Sequence, residues 1–151
     1  MSDESRRAEP IPGIHDVVVL RLPAQPLGRG VDRRTALSYS DHLLRRFGQA
    51  DIVHLERGGR LERNEEETAD EVWVLIDGEA TFEWEDLRSS SPTSGGKASL
   101  NAQEPTSVLV PFGVAFRVIS GDRPAILLRL STHADDEERP PRPFREELFP
   151  Q

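Results

Sequence analysis

Residues 58–82 read GGRLERNEEETADEVWVLIDGEATF. A glycine pair opens the stretch, an acidic segment follows, and two short apolar runs close it, 71–76 and 80–86, separated by Asp77-Gly78. Short runs rich in Val, Ile, Leu, Phe and Trp between turn residues read as strands. Asp-Gly between two such runs predicts a hairpin, because both residues tolerate positive φ. The same rhythm continues outward through His15–Leu22, ended by Pro23, then Asp51–Glu56, Thr106–Val110, Ala115–Ser120 and Ala125–Ser131. Thr35–Phe47 fits either an extended arm or a short helix. Nowhere does a 3.6-residue period hold for three turns, so the chain is expected to be all-β, a sandwich or barrel. Ser89–Lys97, SSSPTSGGK, reads as a mobile hairpin loop.

Composition narrows the function classes. The chain has 151 residues, a net charge of −8, no cysteine and four histidines. That length suits one domain with a modest core. The missing cysteines exclude disulfides, iron–sulfur clusters, thiolate zinc sites and cysteine nucleophiles. The acidity argues against nucleic acid and anionic membranes as partners. A polar, charged N-terminus without an apolar core predicts no signal peptide, and a cytoplasmic location is expected. Neither a Gly-x-Ser-x-Gly elbow, a phosphate-binding glycine loop nor His-Glu-x-x-His occurs. The expected division is a polar arm over 1–12, a barrel over 13–133 and an acidic, proline-rich tail over 134–151, whose Phe144, Leu148 and Phe149 have the character of docking residues.

The quoted stretch resembles the first motif of the cupin superfamily: glycine, five residues, His-x-His, a short spacer, glutamate, six residues, glycine. Here Gly58 is followed by Asn64-x-Glu66, Glu71 and Gly78 at matching spacing. Pro111-Phe112-Gly113, then Phe116, resembles the second motif, Pro-x-Gly followed by a histidine. The resemblance spans about 51–131 and implies a single jelly-roll β-barrel. The tail and the Arg29–Leu37 stretch are loosely similar to nucleotide-sugar ketoisomerases and 3,5-epimerases of the RmlC-like type, which work without metal and use a barrel histidine as base. In metal-binding members three histidines and a glutamate hold the ion; at those places this chain has Asn64, Glu66, Phe116 and Glu71.

The substitutions change the chemistry. Phe116 has no donor, and Asn64, Glu66 and Glu71 as ligands would suit Mg, Mn or Ca rather than a softer metal. Without a cation, Glu66 and Glu71 facing each other would repel, raising one pKa or drawing in a positive ligand. His54 is the one histidine placed to serve as a barrel base or ligand. Trp73 and Trp84, expected on adjacent hairpin arms, read as core or interface residues, or as platforms for a ring. Three readings follow. The first is a metal-independent cupin, non-catalytic or regulatory, binding a small molecule in a barrel lined by His54, Asn64, Glu66, Glu71, Trp73 and Phe116. The second is an enzyme, either a sugar isomerase or epimerase using His54 or a carboxylate-ligated metalloenzyme. The third is a structural dimerisation module. A homodimer is expected under all three.

Overall fold

The computed structural model describes residues 7–63 and 69–137. Twelve strands occur in it: β1 (Ala8–Pro10), β2 (Val18–Arg21), β3 (Gln25–Gly28), β4 (Val31–Arg33), β5 (Gln49–Leu55), β6 (Arg60–Arg63), β7 (Glu71–Asp77), β8 (Ala80–Asp86), β9 (Lys97–Ala102), β10 (Thr106–Val110), β11 (Val114–Ser120) and β12 (Ala125–Ser131). A six-stranded sheet runs β1-β2-β10-β7-β12-β5 and a four-stranded sheet runs β6-β11-β8-β9, with β3-β4 a separate ribbon. All ladders are antiparallel. Among the described residues the one helical turn is 3-10, Tyr39–Asp41, capped by Ser38 and Asp41.

The two sheets face each other over a core in which Leu55, Trp73, Leu75, Val108, Val110 and Leu127 of the larger meet Ala80, Phe82, Trp84, Val114, Phe116 and Val118 of the smaller. Strand alternation sets this: β8 and β11 are each buried at every second residue. The larger sheet is covered on its outer face as well. Ala36, Leu37, Leu43 and Leu44 lie there against Leu20, Leu22, Val72, Val74 and Leu109. Two-sided burial explains why β7 reads EVWVLID with no polar alternation. The ambiguous stretch 35–47 is thus an irregular cover with a single 3-10 turn.

Two sequence expectations are corrected. Asp77-Gly78 does not close a hairpin: β7 pairs with β10 and β12, while β8 pairs with β11 and β9. The turn carries the chain from one sheet to the other. Gly78 has φ +97, and a Cβ there would lie 2.0 Å from the Pro124 carbonyl oxygen, so glycine is required on both counts. The Ser89–Lys97 loop does join hairpin partners, but it is tied down. The fully buried Asp86 carboxylate accepts from Arg88 Nε at 2.8 Å, Ser91 Oγ at 2.6 Å and Thr93 Oγ1 at 2.7 Å. Burial pushes this carboxyl up, and those donors more than reverse it, leaving its pKa well below the usual range. The N-terminal arm also contributes β1, paired to β2.

Candidate functional site

Glu71, the glutamate of the first motif, begins β7 on its barrel-facing side and is 1% exposed. β12 lies beside it, and there the inward alternation Ala125, Leu127, Arg129 places a guanidinium within reach. Arg129 Nε and Nη2 donate to Glu71 Oε2 at 2.9 and 2.6 Å. Arg63, at the end of β6, brings Nη1 to 3.0 Å from Oε1, and Trp73 Nε1 donates to that same oxygen at 2.9 Å. Burial raises the Glu71 pKa, but the Arg63 charge, the Arg129 contacts and the indole N–H outweigh it, so the group stays ionised below its ordinary value. Arg129 also binds Asp51 at 2.7 Å and Asp135 at 3.3 Å, and its own pKa is raised. The result is a closed ion-pair cluster at one end of the barrel.

Below it the barrel is full. Phe116 pairs with Trp84 across the β8–β11 ladder, and its ring lies between the two sheets. Ring centroids stand 5.6 Å from Trp73, 5.9 Å from Phe82 and 5.8 Å from Trp84. All four rings are buried. Such tilted and offset contacts are favourable for aromatic pairs. Trp73 and Trp84 therefore come from opposite sheets and meet across Phe116, in place of the adjacent arms expected from the sequence. Trp84 Nε1 further donates to the Leu109 carbonyl of the larger sheet at 3.3 Å.

Of the residues singled out from sequence, the structure brings Glu71, Trp73 and Phe116 together. Asn64 and Glu66 lie outside the described residues. His54 belongs to the other face: it opposes Ile126 on β12 and is exposed, while Val53 and Leu55 beside it turn inward. The expected inward projection of His54 is corrected by strand phase, and no barrel base comes from this position. The arginines were the missed residues. Arg129 sits in the run AILLRLS, where a charged residue in the inward phase of a central strand is itself the signal.

The donor set does not fit a cupin metal site. Both oxygens of Glu71 are engaged by guanidinium or indole donors, a cation there would face two arginines, and Phe116 has no ligand atom. No group of three or more histidine, aspartate or glutamate residues is arranged to hold a metal among the described residues.

Of two concavities among the described residues, the first borders this cluster at Arg63 and Phe116. A trough of about 560 Å³ crosses the outer face of the smaller sheet, where Arg117 is held by Glu83 and lies 3.8 Å from Glu62. A larger cavity of about 860 Å³ lies at the other end of the barrel, among Arg7, Glu9, Arg21, Arg34, Glu104 and Thr106. Thr106 pairs with Leu75 while Glu71 pairs with Val110, so roughly 14 Å of strand separates the two ends.

Comparison with solved structures gives the fold. NovW, a 4-keto-6-deoxy sugar epimerase from the novobiocin biosynthetic gene cluster of Streptomyces spheroides, superposes with a TM-score of 0.76 at 19% identity, over 98% of this chain and 81% of that one. This chain has an RmlC-like jelly-roll fold. RmlC from Streptococcus suis, solved with dTDP-D-xylose, gives 0.72 at 16% identity over 97% and 77% of the two chains. RmlC from Legionella pneumophila Philadelphia 1, solved with dTDP-4-keto-L-rhamnose, gives 0.74 at 15% identity over 85% and 72%. No protein-family profile matches the sequence, and no curated protein matches it. Among the described residues, no helix is long and apolar enough to cross a membrane.

Proposed function

We propose that this RmlC-like jelly roll is a metal-independent, non-catalytic binding protein for a small molecule, and that it acts as a homodimer. The observation that carries the reading is the Arg63–Glu71–Arg129 cluster seated on the Trp73–Phe116 rings. General base catalysis needs a group that accepts a proton near neutral pH, and Glu71 is committed to two guanidinia. A ligand cannot enter the barrel centre without displacing packed rings. We place the small-molecule site at the 860 Å³ cavity at the opposite end, a volume within the range of ligand pockets. For the homodimer, the support is an apolar surface at the β5 edge of the larger sheet, where Ile52, Ile76 and Ile126 are 77%, 46% and 36% exposed.

The likeness to sugar epimerases supports a second reading, catalysis on a nucleotide-linked keto sugar. One experiment separates the two: incubation with dTDP-4-keto-L-rhamnose in deuterated water, followed by proton NMR at the carbons flanking the keto group. The binding reading expects no protein-dependent exchange. Exchange that requires the folded protein would establish the epimerase reading in its place.

A further inference from the structure

We propose that the cavity at the β2–β10 end binds a small polyanion, a compound carrying two or more phosphate or carboxylate groups, with Arg21 and Arg34 as its principal anchors and Arg7 at its rim. The inference rests on the placement of the small-molecule site proposed above and names the chemistry that site selects. Arg21 ends β2 opposite Thr106, on the same side of the strand as the core residue Val19. Arg34 follows β4 and donates through Nη1 to the Leu22 carbonyl at the cavity wall. That bond fixes the position of its planar head and leaves most of its five N–H donors uncommitted.

Several arginines elsewhere in the fold are held in ion pairs, which those of this cavity lack. Arg46 is paired with Glu137, Arg88 with Asp86, Arg117 with Glu83 and Arg129 with Glu71. Arg7, Arg21 and Arg34 form no ion pair among the described residues, although Glu9 and Glu104 line the same cavity. Three guanidinia against two carboxylates thus give this cavity an excess of one positive charge in a chain whose net charge is −8. A guanidinium has only donors, in a fork that matches carboxylate and phosphate oxygens.

The neighbouring side chains narrow the class. Asn101 Nδ2 is used by Thr81 Oγ1, Gln103 Nε2 by Asn101 Oδ1, and the Thr106 hydroxyl by the Glu104 carbonyl. The arginines are therefore the free donors of the cavity. Glu9 and Glu104 oppose any anion, so binding needs contact with more than one arginine. The volume fits a small molecule, and the overall negative charge disfavours a nucleic-acid backbone.

The test is isothermal titration calorimetry with inorganic tripolyphosphate, citrate and neutral glucose as probes, at low and high salt. Saturable binding of tripolyphosphate, citrate or both is expected, weakening with salt, and glucose should not bind. The preferred probe distinguishes phosphate from carboxylate chemistry. Arg21→Gln should weaken binding by about tenfold or more, the loss of one charge-assisted contact. Arg21→Lys should restore part of it, and Arg117→Gln, on the outer sheet face, should leave it unchanged. Arg21 is exposed, so these variants are expected to keep the fold; circular dichroism verifies this. Absence of anion binding, or binding indifferent to Arg21→Gln, overturns the inference. A neutral ligand that protects this cavity would overturn it while leaving the binding function standing. Anion binding together with solvent exchange into the keto sugar would do the reverse.

Discussion

Glu71→Gln is the sharpest probe of the cluster. The side chain is almost isosteric, so packing around Trp73 and Phe116 is preserved and the change is electrostatic. Wild-type Glu71 accepts two bonds from Arg129, one from Trp73 and the charge of Arg63, all within 3.0 Å. Both arginine side chains are nearly buried, at 12% and 13% exposure. Removing one partner of a buried ion pair costs about 3–5 kcal/mol, chiefly because the other charge is left uncompensated. Glutamine keeps one acceptor, and Arg129 keeps Asp51, which places the expected loss near the lower figure, about 3 kcal/mol. For a chain of this size that corresponds to a fall in Tm of about 6–12 °C. Urea unfolding followed by circular dichroism measures it directly. The triple change of Glu71→Leu with Arg63→Met and Arg129→Met should recover much of the loss, because it leaves no buried charge unpaired; Asp51 and Asp135 lose Arg129 but stand in solvent. If Glu71 instead faced uncompensated carboxylates in an empty cation site, neutralising it would relieve repulsion. A Glu71→Gln protein as stable as wild type, or more so, would refute the clamp.

Other outcomes follow from the same geometry. Glu71 and Asp86 both have lowered pKa values when folded, so the unfolded chain takes up protons first as pH falls; their contribution is intact at neutral pH and declines below about pH 4, visible as a falling urea midpoint. Gly78→Ala should cost at least about 2 kcal/mol, from φ +97 and the clash with Pro124, measured by the same unfolding experiment. Phe116→Ala should cost about 3–5 kcal/mol by opening a void between three rings, again read as a lowered urea midpoint. Ile52→Glu, on an exposed position, should shift stability by no more than about 0.5 kcal/mol yet shift a dimer to monomer in light scattering; an unchanged mass would remove the β5 edge as the interface.

Most of the sheet-forming segments were legible because burial alternates or saturates along them. Ala80–Asp86, Thr106–Val110 and Ala125–Ser131 coincide with strands residue for residue. β9 was not legible: its inward residues are Ala98, Leu100 and Ala102, and its outward ones Lys97, Ser99 and Asn101, too weak an apolar signal after Gly95-Gly96. The pairing partner of each strand was not legible either, since Asp77-Gly78 has the same local chemistry whether it folds a ribbon back or hands the chain to a second sheet. At the site, the motif spacing located Glu71, but the arginines that decide its chemistry lie far from it in sequence or were counted only as charge. The phase of His54 was ambiguous for a plain reason: Ile52 and Val53 are both apolar, so alternation assigns neither face.

The order of strands within the sheets bears on how the chain is made. β2 finds a partner for its inner edge only in β10, β5 pairs with β12, and β7 is held between β10 and β12. Ladders closing over such sequence distances form slowly. On the ribosome, β5, β6 and β7 emerge before any of their ladder partners has been synthesised, and β7 is apolar on both faces. The nascent chain must therefore be kept from associating with other chains until its final third arrives. Fragments ending before β10 should accumulate as insoluble material, and a protein split there should regain solubility when both pieces are produced together.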